Sequence, residues 1–498
     1  MKGILRKILV YVTVLTATLS AAGQMPIMFR MREPEPPDSA DVEHAEKKHF
    51  WRAAAMMEGV NAGLLLFDRF VIDKPCSHIS FKTIKKNFTQ GFKWDNDPLG
   101  TNMFAHPYNG SLFYNAARSN GFNYWQSSMF AIAGSATWEF ICENEPPSTN
   151  DIISTPIGGI AVGEVLYRMS DLLINDTSTG AERGAREAGV FLLNPMRGLT
   201  RLITGDMWKH RATTGRQFGT PPVALQLSLG GKVLEYSHGG VRDFRGGACL
   251  GVTFEYGDRF EVHSAKPYDY FTMHANLNFI SHQPMISRLN IEGRLIAREL
   301  LDSHPDDLSI GMYQNFDYWD SDTISSNLRH APYKLGVPAS VGVGMMYRHT
   351  FSPRMAFDAD LHFNGVILGG ILTDYYNLDQ RNYNLGSGFS LKAGVQLVWD
   401  KEKFCVSATH NLYRLYTWDG YPPTIDLSKV TDENDFNVQG DRSAATFGIT
   451  EINAQLRVAR RLYIGLQLCH LFRHTSYKYY PDVSSDVFVQ SLMLIYKL

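Results

Sequence analysis

The feature that most constrains this chain is a series of period-two segments filling its second half, from about Pro222 to Leu498. Each is roughly ten residues of alternating apolar and polar side chains, followed by a polar loop. Phe271, Met273, Ala275, Leu277 and Phe279 fall on one side of such a segment; Thr272, His274, Asn276 and Asn278 fall on the other. Strict period two dictates a strand with two unlike faces. A soluble sandwich also alternates, because it buries one face and wets the other. Three features favour a transmembrane barrel instead. The segments are about ten residues long rather than the five or six common in soluble sheets. Tyr256, Tyr347, Trp399 and Tyr496 stand at segment ends, where a membrane interface favours aromatic rings. The chain also finishes inside a strand, with Phe488, Leu492, Leu494, Tyr496 and Leu498 alternating. That pattern is similar to the C-terminal signal of outer-membrane barrels, although Leu498 stands where an aromatic residue is usual.

Strands are expected to start near Val223, Ala248, Phe271, Arg288, Leu308, Val337, Met355, Phe389, Phe404, Ile452, Leu462 and Val487. That makes about a dozen, an even number as bacterial barrels require. The polar stretch Asp419 to Arg442 fits an extracellular loop. The polar strand faces place Arg288, Glu292, Arg294, Arg298, Asp358, Asp360 and His362 in the lumen. Both signs are interleaved and no single-sign ring emerges. A salt-bridge lattice filling the interior is therefore favoured over a selectivity lining.

The beginning of the chain gives the same address. Lys2, Arg6 and Lys7 precede an apolar stretch from Ile8 to Leu19, and Ser20, Ala21 and Ala22 offer small residues for cleavage. The stretch is too short to span about 30 Å of hydrocarbon, so residues 1–22 read as a cleaved signal peptide. Residues 23–49 contain Arg-Glu-Pro-Glu-Pro-Pro and a mixed-charge run, a composition that cannot bury enough apolar surface to order itself. They read as a flexible periplasmic leader.

Residues 50–218 change to helical periodicity. Helices are expected over Phe50–Val71, Phe122–Glu143, Asp151 or Ser154 to about Asp176, and Ala181–Leu193. Gly59, Gly63, Gly134, Gly159 and Gly163 let helix backbones approach closely. The fold class is therefore α+β: a small N-terminal helical module at the periplasmic rim or in the lumen, then an antiparallel transmembrane β-barrel over residues 219–498. A formal net charge of −2 leaves no nucleic-acid footprint. The five cysteines are scattered, odd in number and without metal spacing, so they read as buried small residues.

The densest unusual run is Thr101-Asn102-Met103-Phe104-Ala105-His106-Pro107-Tyr108-Asn109-Gly110-Ser111, with Asn115 to Arg118 shortly after. Then come Trp138-Glu139-Phe140, Pro147 to Asp151, Thr155 to Gly159, and Gly163-Glu164 with Arg168. These blocks, in this order, resemble the uncharacterised outer-membrane family of Bacteroidota and relatives catalogued as domain of unknown function 3943. The resemblance covers Asp95 to Trp208. It implies an envelope location and a helical module fused to a barrel, and no known activity.

A hydrolase would take Ser111 as nucleophile, His106 as base and Glu139 or Asp151 as its orienter, in successive hydrogen-bond reach. Ser111 does not lie in a Gly-x-Ser-x-Gly elbow. A metal site would gather Glu139, Glu143, Glu164 and His106, but the paired Glu-x-x-His of carboxylate metal bundles is missing from these residues. A structural role is better supported: Asn109, Arg118, Glu143, Glu164 and Arg168 form a polar network, Glu139, Glu164 and Arg168 pair, Pro107, Asn109 and Gly110 shape a turn, and His106 and Asp151 cap helices. The expectation is a non-enzymatic outer-membrane barrel that needs no cofactor. It would handle envelope lipid or solute, or serve as a subunit of an envelope assembly. Its partners would be outer-membrane lipids and other envelope proteins. The alternatives are a membrane-embedded acyl-ester hydrolase and a narrow solute channel.

Overall fold

The computed structural model describes residues 47–498, apart from 239–240, 263–265, 281–283, 322–330, 377–380, 422 and 426–436. The signal segment and nearly all of the leader lie outside the described residues. Twelve strands follow the helices: β1 (Val223–His238), β2 (Val241–Tyr256), β3 (Phe271–Phe279), β4 (Ile286–Ser303), β5 (Asp306–Asp320), β6 (Lys334–Ser352), β7 (Met355–Leu372), β8 (Tyr383–Trp399), β9 (Phe404–Thr417), β10 (Ser443–Ala459), β11 (Leu462–Tyr477) and β12 (Val483–Lys497). Each expected start falls inside one of them. Every strand pairs antiparallel with the next, and β1 pairs with β12 from Gln226↔Lys497 to Ser237↔Asp486, which closes the barrel.

Most connections sort by length, as in outer-membrane barrels; the exceptions are the short β1–β2 link and the long β2–β3 link. Tight turns join β4 to β5, β6 to β7, β8 to β9 and β10 to β11, at the end where the chain also finishes. Long connections join β5 to β6, β7 to β8 and β9 to β10 at the opposite end. We call these the short-turn end and the long-loop end.

One pair fixes which strand face points inward. Arg288 on β4 and Glu451 on β10, on opposite sides of the barrel, meet at 2.9 Å. Side chains of that parity fill the lumen. Lys392 on β8 lies 2.8 Å from Asp317 on β5, and His362 on β7 lies 3.4 Å from Glu292 on β4. Toward the long-loop end the filling turns apolar, with Trp319, Leu335, Val337, Tyr413, Phe447 and Leu471 buried together. At the short-turn end the β2–β3 connection folds into the opening, where Arg294 holds Asp269 at 2.7 Å and Arg259 approaches Asp358 at 3.8 Å. The interior is a lattice of side chains.

The outward parity is apolar and exposed around much of the circumference: Leu229, Val343, Phe363, Val395, Ile452, Leu466 and Leu494 all face out. One lumen residue expected from the sequence is displaced. A register shift between Arg294 and Ile296 inserts one residue, so Arg298 pairs with outward-facing Ile310 and is exposed.

Before the barrel come seven helices among the described residues: α1 (Phe50–Phe67), α2 (Phe81–Asn87), α3 (His106–Arg118), α4 (Tyr124–Thr137), α5 (Asp151–Leu173), α6 (Gly180–Leu193) and α7 (Pro195–Thr204). α1 and α4 each run on into a π-helical turn, Asp68–Ile72 and Trp138–Cys142. The expected turn at Pro107, Asn109 and Gly110 is instead the first half of α3. Pro107 lies just after a π-helical turn, Thr101–Ala105, that runs into α3 without a break. A reciprocal pair of bonds between Asn123 and Gln126 caps α4. Asn194 caps α7, which Gly205 ends at φ 72°. No helix among the described residues is long and apolar enough to cross a membrane.

The module sits neither in the lumen nor at the rim; it packs on the outside of the barrel wall. Gln314 on β5 pairs with Gly293 and has the parity opposite to Asn315 and Asp317, so it points outward. Its amide nitrogen donates to the Ile157 carbonyl of α5 at 2.9 Å. The Tyr124 hydroxyl of α4 donates to its oxygen at 2.7 Å. Met103 crowds the outward face of Gly336 on β6, and a Cβ on Gly158 of α5 would meet both Pro107 and Pro338 of β6.

Candidate functional site

α5 is the axis of the module. Its 23 residues extend about 35 Å at 1.5 Å per residue. Almost none of it is exposed, because the barrel wall covers one side and the other helices cover the rest. Close approach to α3 depends on glycine: a Cβ on Gly110 would lie 1.8 Å from the Thr155 carbonyl oxygen, and one on Gly159 would lie 2.4 Å from the Gly110 carbonyl carbon.

Toward the short-turn end, α3 and α5 bury a charge cluster. Glu164 is fully buried and takes Arg118 Nε at 2.9 Å, Arg168 Nε at 2.8 Å and the Tyr114 hydroxyl at 2.6 Å. Arg168 also donates to the Pro267 carbonyl and lies over the Phe218 ring. Beneath it stands Tyr256, which the sequence placed at a membrane interface and which is instead covered. Further Arg–carboxylate pairs tie α6 and α7 to the end of α5: Asp171 with Arg197 at 2.5 Å, and Asp176 with Arg183 and Arg201 at 2.9 and 2.7 Å. Every buried charge here has an opposite partner, the arrangement that makes such burial tolerable. Sequence reading missed Asp171, Asp176, Arg197 and Arg201. Five arginines between Arg183 and Arg211 in a chain of net charge −2 were the available signal.

Toward the long-loop end lies a second, carboxylate-rich cluster. His106 Nε2 is 3.9 Å from Asp151 Oδ1. Ser148 N donates to Glu139 at 2.7 Å, and Trp138 Nε1 donates to Glu143 at 2.7 Å. With its amide turned so that donors meet acceptors, Asn102 reaches Asp95 at 3.0 Å and Asp151 at 3.3 Å. Burial, reinforced by the neighbouring Asp95 and Asp151 and offset in part by His106, pushes the Asp97 carboxyl up to about 7. Burial likewise raises Glu143 to about 8, against the pull of His106. This cluster is also the seam to the barrel: the Tyr383 hydroxyl of β8 donates to the Asp97 carbonyl at 2.8 Å, and Arg381 and Tyr376 reach Asn96 Oδ1 at 3.1 and 2.9 Å.

The residues proposed for hydrolysis are only partly brought together. His106, Asp151, Glu139 and Glu143 share the cluster, but Ser111 Oγ is turned to the Tyr108 carbonyl of its own helix at 2.6 Å. Glu139 bonds a backbone N–H rather than Glu164 or Arg168. Asn109, half-buried or more exposed on α3, has no bond to either cluster among the described contacts. No group of three or more His, Cys, Asp or Glu among the described residues could hold a metal ion. Glu164 is committed to Arg118 and Arg168, away from His106. In the barrel, Arg288, Glu292, Arg294, Asp358, Asp360 and His362 carry the lumen parity, with Asp358 held by Arg348 at 2.7 Å.

The fold and its two clusters define a class: a closed twelve-strand barrel with a helical bundle docked on its outer wall. Within that class, residues 91–196 match the family model described as Domain of unknown function (DUF3943), in line with the motifs between Asp95 and Trp208. Among solved structures, the NanC porin in a rhombohedral crystal form is 10% identical, with 54% of this chain and 98% of that chain covered, at a TM-score of 0.26. The Pseudomonas putida toluene transporter TodX is 8% identical over 56% of this chain and 90% of its own, at 0.22. The anion-selective porin from Comamonas acidovorans is 7% identical over 56% and 99%, at 0.21. Likeness of that degree carries no argument about function. No curated protein matches the chain.

Proposed function

We propose that this protein is a non-conducting, non-enzymatic outer-membrane barrel that works at its outer wall, holding a helical module against that wall to handle envelope lipid or to anchor an envelope assembly. The observation that carries the reading is the docking of α5 on the outward face through Gln314 and Ile157, beside a lumen bridged by Arg288 and Glu451. A barrel with apolar side chains exposed outward has its stable environment in lipid. On this reading residues 1–22 are removed on export, residues 23–49 lie in the periplasm with the short-turn end, and the long loops face outward from the cell.

The solute-channel reading requires water through the lumen. Planar-bilayer recording of the purified protein tests it. The expected result is no steady conductance; steady ion flow that Arg288→Glu alters would overturn the proposal in favour of a channel. The hydrolase reading lacks a base at Ser111. Detergent-extracted protein assayed on phospholipid and lipid A is expected to show no ester turnover. Turnover lost in both Ser111→Ala and His106→Ala, with folding intact, would restore it.

A further inference from the structure

Four helices of the module turn apolar residues outward while burying polar ones beside their apolar contacts. On α4 the buried face carries Ser127, Ser128 and Ser135, while Trp125, Met129, Ile132 and Ala133 are exposed with no charge among them. On α6 the buried residues include Arg183, Arg186 and Glu187, while Ala185, Ala188, Phe191 and Leu192 are exposed. On α7 Arg197, Thr200 and Arg201 are buried, while Leu202 and Ile203 are exposed. On α1 the exposed side bears Trp51, Ala55, Ala62, Leu66 and Phe67; its charged residue, Glu58, accepts from Thr137 at 3.2 Å and Asn61 at 3.3 Å. A water-facing helix has the reverse pattern, apolar toward its neighbours and charged outward.

Depth agrees. α5 touches the wall at Gln314 and spans from the Tyr383 seam to Tyr256, so the bundle stands beside the barrel over its height. Its exposed apolar surface continues the outward apolar parity of the strands. Exposed cationic groups collect at the two ends instead, with Lys82, Lys85 and Lys86 on α2 near the long-loop end and Lys209 and Arg211, both paired with Asp206, near the short-turn end. That is where lipid headgroups would meet them.

We infer that the outer faces of α1 and α4 contact the acyl chains of the bilayer, so that the module lies within the lipid layer beside the barrel. The inference rests on the outer-membrane reading above. None of these helices is apolar enough to cross alone, and none has to be. Wall and neighbouring helices cover the polar faces, leaving only the outer faces to meet lipid, as polar residues within membranes face the protein interior. Acyl chains suit this surface better than a folded partner because it wraps several helices and runs on into the exposed strand faces.

The test uses the full chain in phospholipid vesicles, with its five cysteines replaced by serine and a nitroxide placed at Met129→Cys, Ile132→Cys or, as a reference on β11, Leu466→Cys. Collisions with dissolved oxygen report lipid, and collisions with a water-soluble nickel chelate report water. The expected result is the same oxygen excess at all three sites. Nickel access at Met129 and Ile132 with oxygen excess at Leu466 overturns the inference and leaves the barrel in the membrane. Shielding of the two helix sites from both reagents overturns it in favour of a protein partner. Nickel access at Leu466 removes the membrane reading itself. Should the cysteine-free chain not fold, the parent in vesicles with brominated acyl chains decides: Trp125→Phe is expected to lower tryptophan quenching, and unchanged quenching overturns the inference.

Discussion

One guanidinium nitrogen of Arg288 lies 2.9 Å from both carboxylate oxygens of Glu451, across the full width of the barrel. The same guanidinium stacks over Trp319. Strands on opposite sides are thus tied through the lumen as well as through the sheet. Breaking such a pair from one side leaves a buried charge uncompensated, at a cost of about 3–5 kcal/mol. Arg288→Ala is expected to destabilise the barrel by that order, and Arg288→Met with Glu451→Gln to recover much of it. Urea unfolding in detergent, followed by heat-modifiable gel migration, measures both.

Gln314 is the polar outlier on an otherwise apolar strand face, and three groups depend on it: the Ile157 carbonyl, the Tyr124 hydroxyl and the Tyr268 hydroxyl. Gln314→Ala leaves these buried groups short of a partner, at a cost of about 1–3 kcal/mol. Amide exchange is expected to accelerate in α4 and α5 while the strands keep their protection. Equal acceleration in the strands would mean that module and barrel unfold as one unit.

The α3–α5 contact predicts opposite outcomes at two glycines. Gly110→Ala drives a Cβ into the Thr155 carbonyl and is expected to cost about 1–3 kcal/mol or more by overpacking. Gly63→Ala on α1 meets nothing within 4 Å and is expected to stabilise by about 0.5–1 kcal/mol through helix propensity. Thermal melts of the helical circular-dichroism signal compare them.

Asp97 makes the module sensitive to pH. Its carboxyl rises from the ordinary 3.8 to about 7, so between those values the folded state holds a proton that the unfolded chain has released. Stability contributed by that proton is present below about pH 4 and is lost as pH rises through about 7. Asp97→Asn cannot lose the proton. The variant is expected to melt higher than the parent at pH 8 and alike at pH 4; equal melting at both would remove Asp97 from this role.

Much of the barrel could be read from the sequence because each strand writes its two faces in alternate residues. Leu361 and Phe363 against Asp360 and His362 needed no further information. Arg298 failed because an inserted residue reverses the alternation and leaves no local mark: Leu295, Ile296 and Ala297 are all apolar. The helices at Phe50, Tyr124, Asp151 and Gly180 carried their periodicity openly. α3 did not, since His106, Pro107, Asn109 and Gly110 all favour turns, and only burial against α5 holds them helical. The module's place against the outer wall was not legible, because helical periodicity marks a face to be buried without naming what covers it. On α4 the residues that end up exposed are Trp125, Met129 and Ile132, while Ser128 and Ser135 are buried. In the cluster near the long-loop end His106 and Asp151 lie 3.9 Å apart, whereas Ser111 points to its own helix, which no spacing could reveal.

The docked helices reach Leu225 and Leu498 at the short-turn end of the β1–β12 junction and leave the rest of it bare: Leu229 and Val233 on one side and Leu492 and Leu494 on the other stay exposed. The bundle runs from Leu225 and Tyr256 at the short-turn end to Tyr383 and Leu385 at the other, so beyond Leu225 it does not obstruct the pairing of β1 with β12. The pairs from Gly231 opposite Leu492 to Ser237 opposite Asp486 lie on wall that no described helix covers, so this stretch of the cylinder can close with the helices already in place.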